Sequence, residues 1–268
     1  MENSVIDKPS NEPTLQTDPI AEPVARLETL PKGPVSEVPI LIRTADGAQI
    51  KATWFAGKDA QATVVFFPAM GVEASFYHRL CSSIAAAGFN ALPVDLRGHG
   101  QHSVKASRGN RFGFKEMLEF DWPAAVRTAK GLAPEAPVIL GGHSLGGQLS
   151  TLYASLNPQS IKALLLVATP SVYFRGWRLP ANLKILLMTQ LAWGISELLG
   201  YFPGDVIGFR GRESPGVIRD WACNARTGEY RPERMQNDFA AQLKRLNCPV
   251  MSVSFSDDEY CPQRAAQN

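Results

Sequence analysis

The chain has 268 residues, 45% of them hydrophobic, and a formal net charge of +2. That length accommodates one sizeable α/β domain with a real core, and so even a charge balance gives no reason to expect nucleic acid or a polyacidic partner. Cys81, Cys223, Cys248 and Cys261 form no C-x-x-C pair, and the four histidines are too dispersed for zinc, so no metal or cofactor is implied and the thiols read as reduced, in a cytoplasmic protein.

Residues 1–36 hold six prolines, six acids, three bases and no aromatic residue. Such a segment buries too little to offset its ordering entropy and reads as a disordered tail. Its first residues lack the basic and apolar regions of a secretory signal. Order is expected from about Val38. Ile40–Arg43 and Gln49–Trp54 flank Asp46-Gly47 and read as a hairpin. Ala62–Phe67 is a continuous apolar strand, suited to the middle of a sheet. Residues 73–87 read as a helix with Phe76, Leu80, Ile84 and Ala87 on one face, closed by Gly88. A short strand at 90–94, a polar basic loop at 101–112 and a helix over 114–132, interrupted near Asp121-Trp122-Pro123, come next. Strands at 138–140, 161–168 and 248–255 complete the count. Strands alternating with helices predict a mostly parallel sheet with helices on both faces and an antiparallel edge.

Residues 171–236 break that alternation. They contain no clear strand and carry Trp177, Trp193 and Trp221. They read as a helical cap inserted into a core made of 37–170 and 237–268, roofing an apolar pocket. Within the cap, Ile185–Phe202 is the longest apolar stretch. Its Gln190, Ser196 and Glu197 make it an amphipathic helix rather than a membrane span, and membrane-surface contact is set aside.

The stretch Gly142-His143-Ser144-Leu145-Gly146 lies between an apolar strand and a helix whose apolar face is Leu145, Leu149, Leu152, Tyr153 and Leu156. A serine at the tip of a sharp strand-to-helix turn is the context of a nucleophile elbow. Side chains at 142 and 146 would collide across such a turn.

Four motifs, each at a strand end, then give a resemblance. They are Phe67-Pro-Ala-Met-Gly71, Asp95-Leu-Arg-Gly-His-Gly100, Gly142–Gly146 and Ser256-Asp-Asp-Glu-Tyr-Cys-Pro262. In that order, across roughly 38–262, they resemble the α/β-hydrolase superfamily, nearest a bacterial branch of serine aminopeptidase-like and monoacylglycerol-lipase-like enzymes. The resemblance implies that Ser144 is the nucleophile and Asp258 the triad acid. It also implies that the backbone N–H groups of Leu145 and Met70 form the oxyanion hole. Pro68-Ala69 replace the family's usual His-Gly, a change that a backbone donor tolerates. Asp95 and Arg97 read as supports of a tight turn.

The family's histidine follows its acid, yet His78, His99, His102 and His143 all precede Asp258. The ten residues after Asp258 are too few for a crossover and another strand. The expectation is therefore an α/β-hydrolase fold, C-terminally truncated, with its last strand and helix missing. Function follows in two forms. One is a serine hydrolase of a small or lipid-like ester or amide, impaired by the absent base. The other is a non-catalytic homologue that at most binds an apolar ligand under the cap.

Overall fold

The computed structural model describes residues 35–206 and 211–266. The expected tail, save for residues 35 and 36, lies outside the described residues.

The chain opens with the hairpin, β1 (Ser36–Arg43) and β2 (Gln49–Ala56), paired antiparallel with Ile42 opposite Ile50. Gly47, at φ 85°, makes the turn, and its N–H donates to the Thr44 carbonyl. After β3 (Thr63–Phe67) the chain turns through a 3₁₀ segment, Ala74–Tyr77, into α1 (His78–Ala86). Strand β4 (Asn90–Pro93) and the loop to residue 113 lead to α2 (Phe114–Glu116). A five-residue π stretch, Met117–Asp121, joins α2 to α3 (Trp122–Leu132). The expected interruption is this widened turn, and Pro123, which has no N–H for the preceding turn, accounts for it.

Strand β5 (Val138–His143) runs into α4 (Leu145–Leu156), and β6 (Ala163–Val167) follows. Three helices then separate β6 from the next strand: α5 (Ala181–Leu199), α6 (Pro215–Thr227) and α7 (Phe239–Arg245). The chain returns to the sheet as β7 (Val250–Val253) and continues into α8 (Gln263–Ala266).

The seven strands are ordered β1-β2-β4-β3-β5-β6-β7. From β4 across to β7 all pairings are parallel, while β1 and β2 form the antiparallel side. Both faces are covered at the centre of the sheet, while β1 and β7 at its two sides are largely exposed. Along β3 the side chains alternate: Val65 and Phe67 pack with Trp122 and Leu149 of α3 and α4, while Val64 and Phe66 pack with Tyr77, Cys81 and Ala85. The rings of Phe67 and Trp122 stack at 3.7 Å.

Two sequence expectations need correction. The last strand and helix are present. Residues 250–253 pair parallel with 164–167 to finish the sheet, and α8 packs back, with the Ser171 N–H donating to the Ala265 carbonyl at 2.8 Å and Ala265 fully buried. After Asp258 the chain turns and begins one helical turn at Pro262. The second correction concerns α1. Phe76 is 67% exposed and Leu80 38%, whereas Ala74, Tyr77, Cys81 and Ala85 face the sheet. The small Cys81 and Ala85 let this helix pack closely over β4 and β2, and that preference outranked the bulkier apolar stripe.

Candidate active site

The elbow follows from local geometry. Ser144 holds φ 51° and ψ −118°, a conformation that costs roughly 1–3 kcal/mol and persists only where the surroundings enforce it. Here the Ser144 N–H donates to the Val167 carbonyl at 3.2 Å, and the Gly146 N–H to the Pro68 carbonyl at 3.1 Å. A Cβ at residue 142 would sit 2.3 Å from the Gly146 carbonyl carbon, and one at 146 would sit 2.2 Å from the Phe67 oxygen. Glycine is therefore the residue that lets the turn close against the end of β3.

Ser144, Leu145, Met70 and Asp258 all line one cavity of about 1120 Å³. Leu145 is the first residue of α4, so its N–H has no carbonyl a turn earlier to bond. The Met70 N–H likewise donates to no backbone or side-chain acceptor among the described residues. Asp258 reaches the cavity from the loop after β7. One carboxylate oxygen, Oδ1, accepts from the N–H groups of Tyr260 and Cys261 at 2.8 and 3.1 Å, leaving Oδ2 without a protein donor among the described residues. The other walls are mainly apolar: Val172, Trp177, Ile185, Met188 and Trp221.

His143 also lines this cavity. Its Nδ1 lies 2.7 Å from the Tyr77 hydroxyl, whose oxygen accepts the Ala69 N–H at 3.2 Å. The Tyr77 hydroxyl thus bridges the Ala69 N–H and the His143 ring, and which of the two donates in the Tyr77–His143 bond depends on the ring's tautomer. Burial pushes the His143 pKa below the usual value, against the opposing pull of the Asp258 charge. His143 is thus a half-buried ring biased toward its neutral form, with Nδ1 engaged by Tyr77.

The remaining histidines are committed elsewhere. His99 bonds Glu213 at 2.6 Å, and both are buried. Burial works to lower the His99 pKa, yet the Glu213 carboxylate outweighs it and holds the ring above its usual value. His102 joins a buried cluster in which Arg97 binds Asp121 through two bonds, of 2.7 and 3.0 Å, and Asp46 through a third contact at 2.8 Å. His78 packs edge-on against Phe55. Asp95 accepts the N–H groups of Ala74 and Gln101 at 2.6 and 2.7 Å. Asp95 and Arg97 thus brace the loop after β4, and neither lines the Ser144 cavity.

Sequence reasoning missed Tyr77, which ties the loop after β3 to the elbow. No short-range signal marks it, because its partner lies 66 residues away. Among the described residues no group of three or more His, Cys, Asp or Glu is gathered to hold a metal, and no helix is long and apolar enough to cross a membrane.

Comparison with known proteins bears on the family and the fold. The family described as serine aminopeptidase, S33, matches residues 58–199. The monoacylglycerol lipase of Mycolicibacterium smegmatis is 30% identical over 225 residues, covering 78% of this chain and 74% of that protein. The monoglyceride lipase of Rattus norvegicus is 27% identical, with 87% and 77% covered. Among solved structures, that of DcsB in complex with its substrate analogue has a TM-score of 0.61 at 17% identity, covering 87% of this chain and 84% of its own, and an open-form lipase has 0.55 at 17%, covering 82% and 80%. These likenesses in structure show the fold, an α/β hydrolase. The chain belongs to the serine aminopeptidase, S33, family of that superfamily.

Proposed function

We propose that this protein is a serine hydrolase scaffold for a small or lipid-like ester or amide, working through Ser144 with impaired turnover. The observation that carries the reading is the strained Ser144 in an apolar cavity also lined by Met70, Leu145 and Asp258. Ser144 Oγ would attack the substrate carbonyl. The N–H groups of Leu145 and Met70 would hold the oxyanion, whose collapse would expel the alcohol or amine carrying the proton given up by Oγ; water would then cleave the acyl–Ser144 ester, freeing the acid and returning a proton to Oγ. The apolar walls and the relatives named as glyceride lipases favour an acyl chain as the bound group. Residues 171–236 act as the cap, and 37–170 with 237–268 as the core.

The weak point is the proton on Ser144 Oγ. Among the described residues His143 is the one histidine that lines the cavity, and its Nδ1 is engaged by Tyr77. In well-studied triads, loss of one member still leaves about 10³–10⁴-fold acceleration over water. The free Oδ2 of Asp258 favours a second reading, a cavity that binds an apolar ligand without turnover.

A fluorophosphonate probe separates the two. Slow labelling that vanishes in Ser144→Ala is the expected result. A folded protein that resists the probe over long incubation would establish the non-catalytic reading instead.

A further inference from the structure

Helix α5 is built inside out. Thr189 and Ser196 are fully buried and Ala192 nearly so, facing the protein. Its large aliphatic side chains face the other way: Leu183, Leu187, Met188, Leu191, Ile195 and Leu198 are 41–83% exposed. At 100° per residue these six fall within an arc of roughly 140°. A helix on a water-facing surface normally shows the reverse arrangement.

The charges on this arc and just before it are basic, while the acids Asp258 and Glu259 stand on the wall of the cavity it borders. Lys184 lies on it, and Arg178 stands just before the helix; both are exposed and neither has an ion-pair partner among the described residues. The helix has one acid, Glu197, which lies off the arc and is bonded by Arg111 at 2.8 and 3.0 Å. The arc is also continuous with the cavity. Leu179, Lys184 and Met188 belong both to the exposed surface and to the wall around Ser144.

We propose that the outer face of α5 docks on an anionic lipid surface, laying its aliphatic arc among the acyl chains with Lys184 and Arg178 at the headgroups. Apolar burial combined with attraction to anionic headgroups is how an interfacial helix binds. The continuity with the cavity sets its mouth against the lipid. A helix lying in the interface needs no span, which accords with the absence of a crossing helix among the described residues. The docking departs from the sequence expectation, which weighed the polar residues Gln190, Ser196 and Glu197 without knowing that they face the protein or pair with it. It does not depend on chemistry at Ser144.

The test is co-sedimentation of the full chain, carried as Ser144→Ala so that turnover plays no part, with phosphatidylcholine vesicles with and without phosphatidylglycerol. Binding is expected, stronger with phosphatidylglycerol. Leu187→Gln with Leu191→Gln should cut the partition coefficient at least about tenfold while leaving the thermal midpoint unchanged, since both side chains are exposed. Lys184→Glu with Arg178→Glu should abolish the phosphatidylglycerol preference. Vesicle binding that survives the leucine substitutions would overturn the proposal. So would the absence of vesicle binding together with a dimer that those substitutions dissociate, which would assign the face to a second copy of this chain.

Discussion

At the scale of single residues the elbow is over-determined. Gly146→Ala would push a Cβ against the Phe67 oxygen, which is rigid backbone at the end of a central strand. The strand or the turn must move, so we expect a loss of several kcal/mol, on the order of 3, in a urea titration, together with loss of probe labelling. Tyr77→Phe makes a finer test. The ring still packs against Phe66 at 5.0 Å, but the Ala69 N–H and His143 Nδ1 lose their partner. Two buried polar groups left bare should cost about 1–3 kcal/mol. If the bridge also positions the oxyanion donor at Met70, one residue from Ala69, labelling of Ser144 should slow. Destabilisation with an unchanged labelling rate would make Tyr77 structural only. That Ser144, Leu145, Met70 and Asp258 lie together at one cavity was legible because each sits in a short motif at a strand end. The role of Tyr77 was not, because it arises from one contact across the fold.

At the scale of elements, a buried carboxylate helps join α6 to α2, beside the packing of Val217 on Phe114. Asp220 accepts the N–H groups of Phe114 and Glu233, each at 3.0 Å, and Arg219 at 2.8 Å. Burial outweighs these donors and pushes its pKa up to about 6. The native state therefore binds this proton more tightly than the unfolded chain, whose value is 3.8. The contribution to stability is fully present below that lower value and is lost as pH rises through about 6. Its size is on the order of 3 kcal/mol across the window. Asp220→Asn should flatten the dependence of the thermal midpoint between these two pH values, as followed by circular dichroism; an unchanged slope would assign that titration to other groups. Periodicity found α1, α4 and α5 but not always the face they bury. On α4 the apolar side and the buried side coincide. On α1 and α5 small residues face the protein, because close backbone approach there matters more than bulk.

At the scale of the molecule, alternation of strand and helix was enough to read a mostly parallel sheet, since parallel neighbours require crossovers. The pairing of β7 and the one-turn helix α8 were not readable, because neither four strand residues nor a single helical turn carries a periodic pattern. The sheet ends on β7, with no strand beyond it among the described residues. Val250, Met251 and Phe255 are 54%, 64% and 53% exposed, and the charges that commonly blunt such an edge are absent from Val250–Val253. An unprotected apolar edge invites pairing with another strand, so self-association should grow with concentration. Met251→Lys should lower the associated fraction in sedimentation velocity, because a charge on an edge strand opposes stacking against a second copy. The same substitution should leave vesicle binding through α5 untouched, while the α5 leucine substitutions should leave self-association untouched. If Met251→Lys changed neither, association would have to use another surface, and the exposed side chains of β7 would be solvated in the free protein.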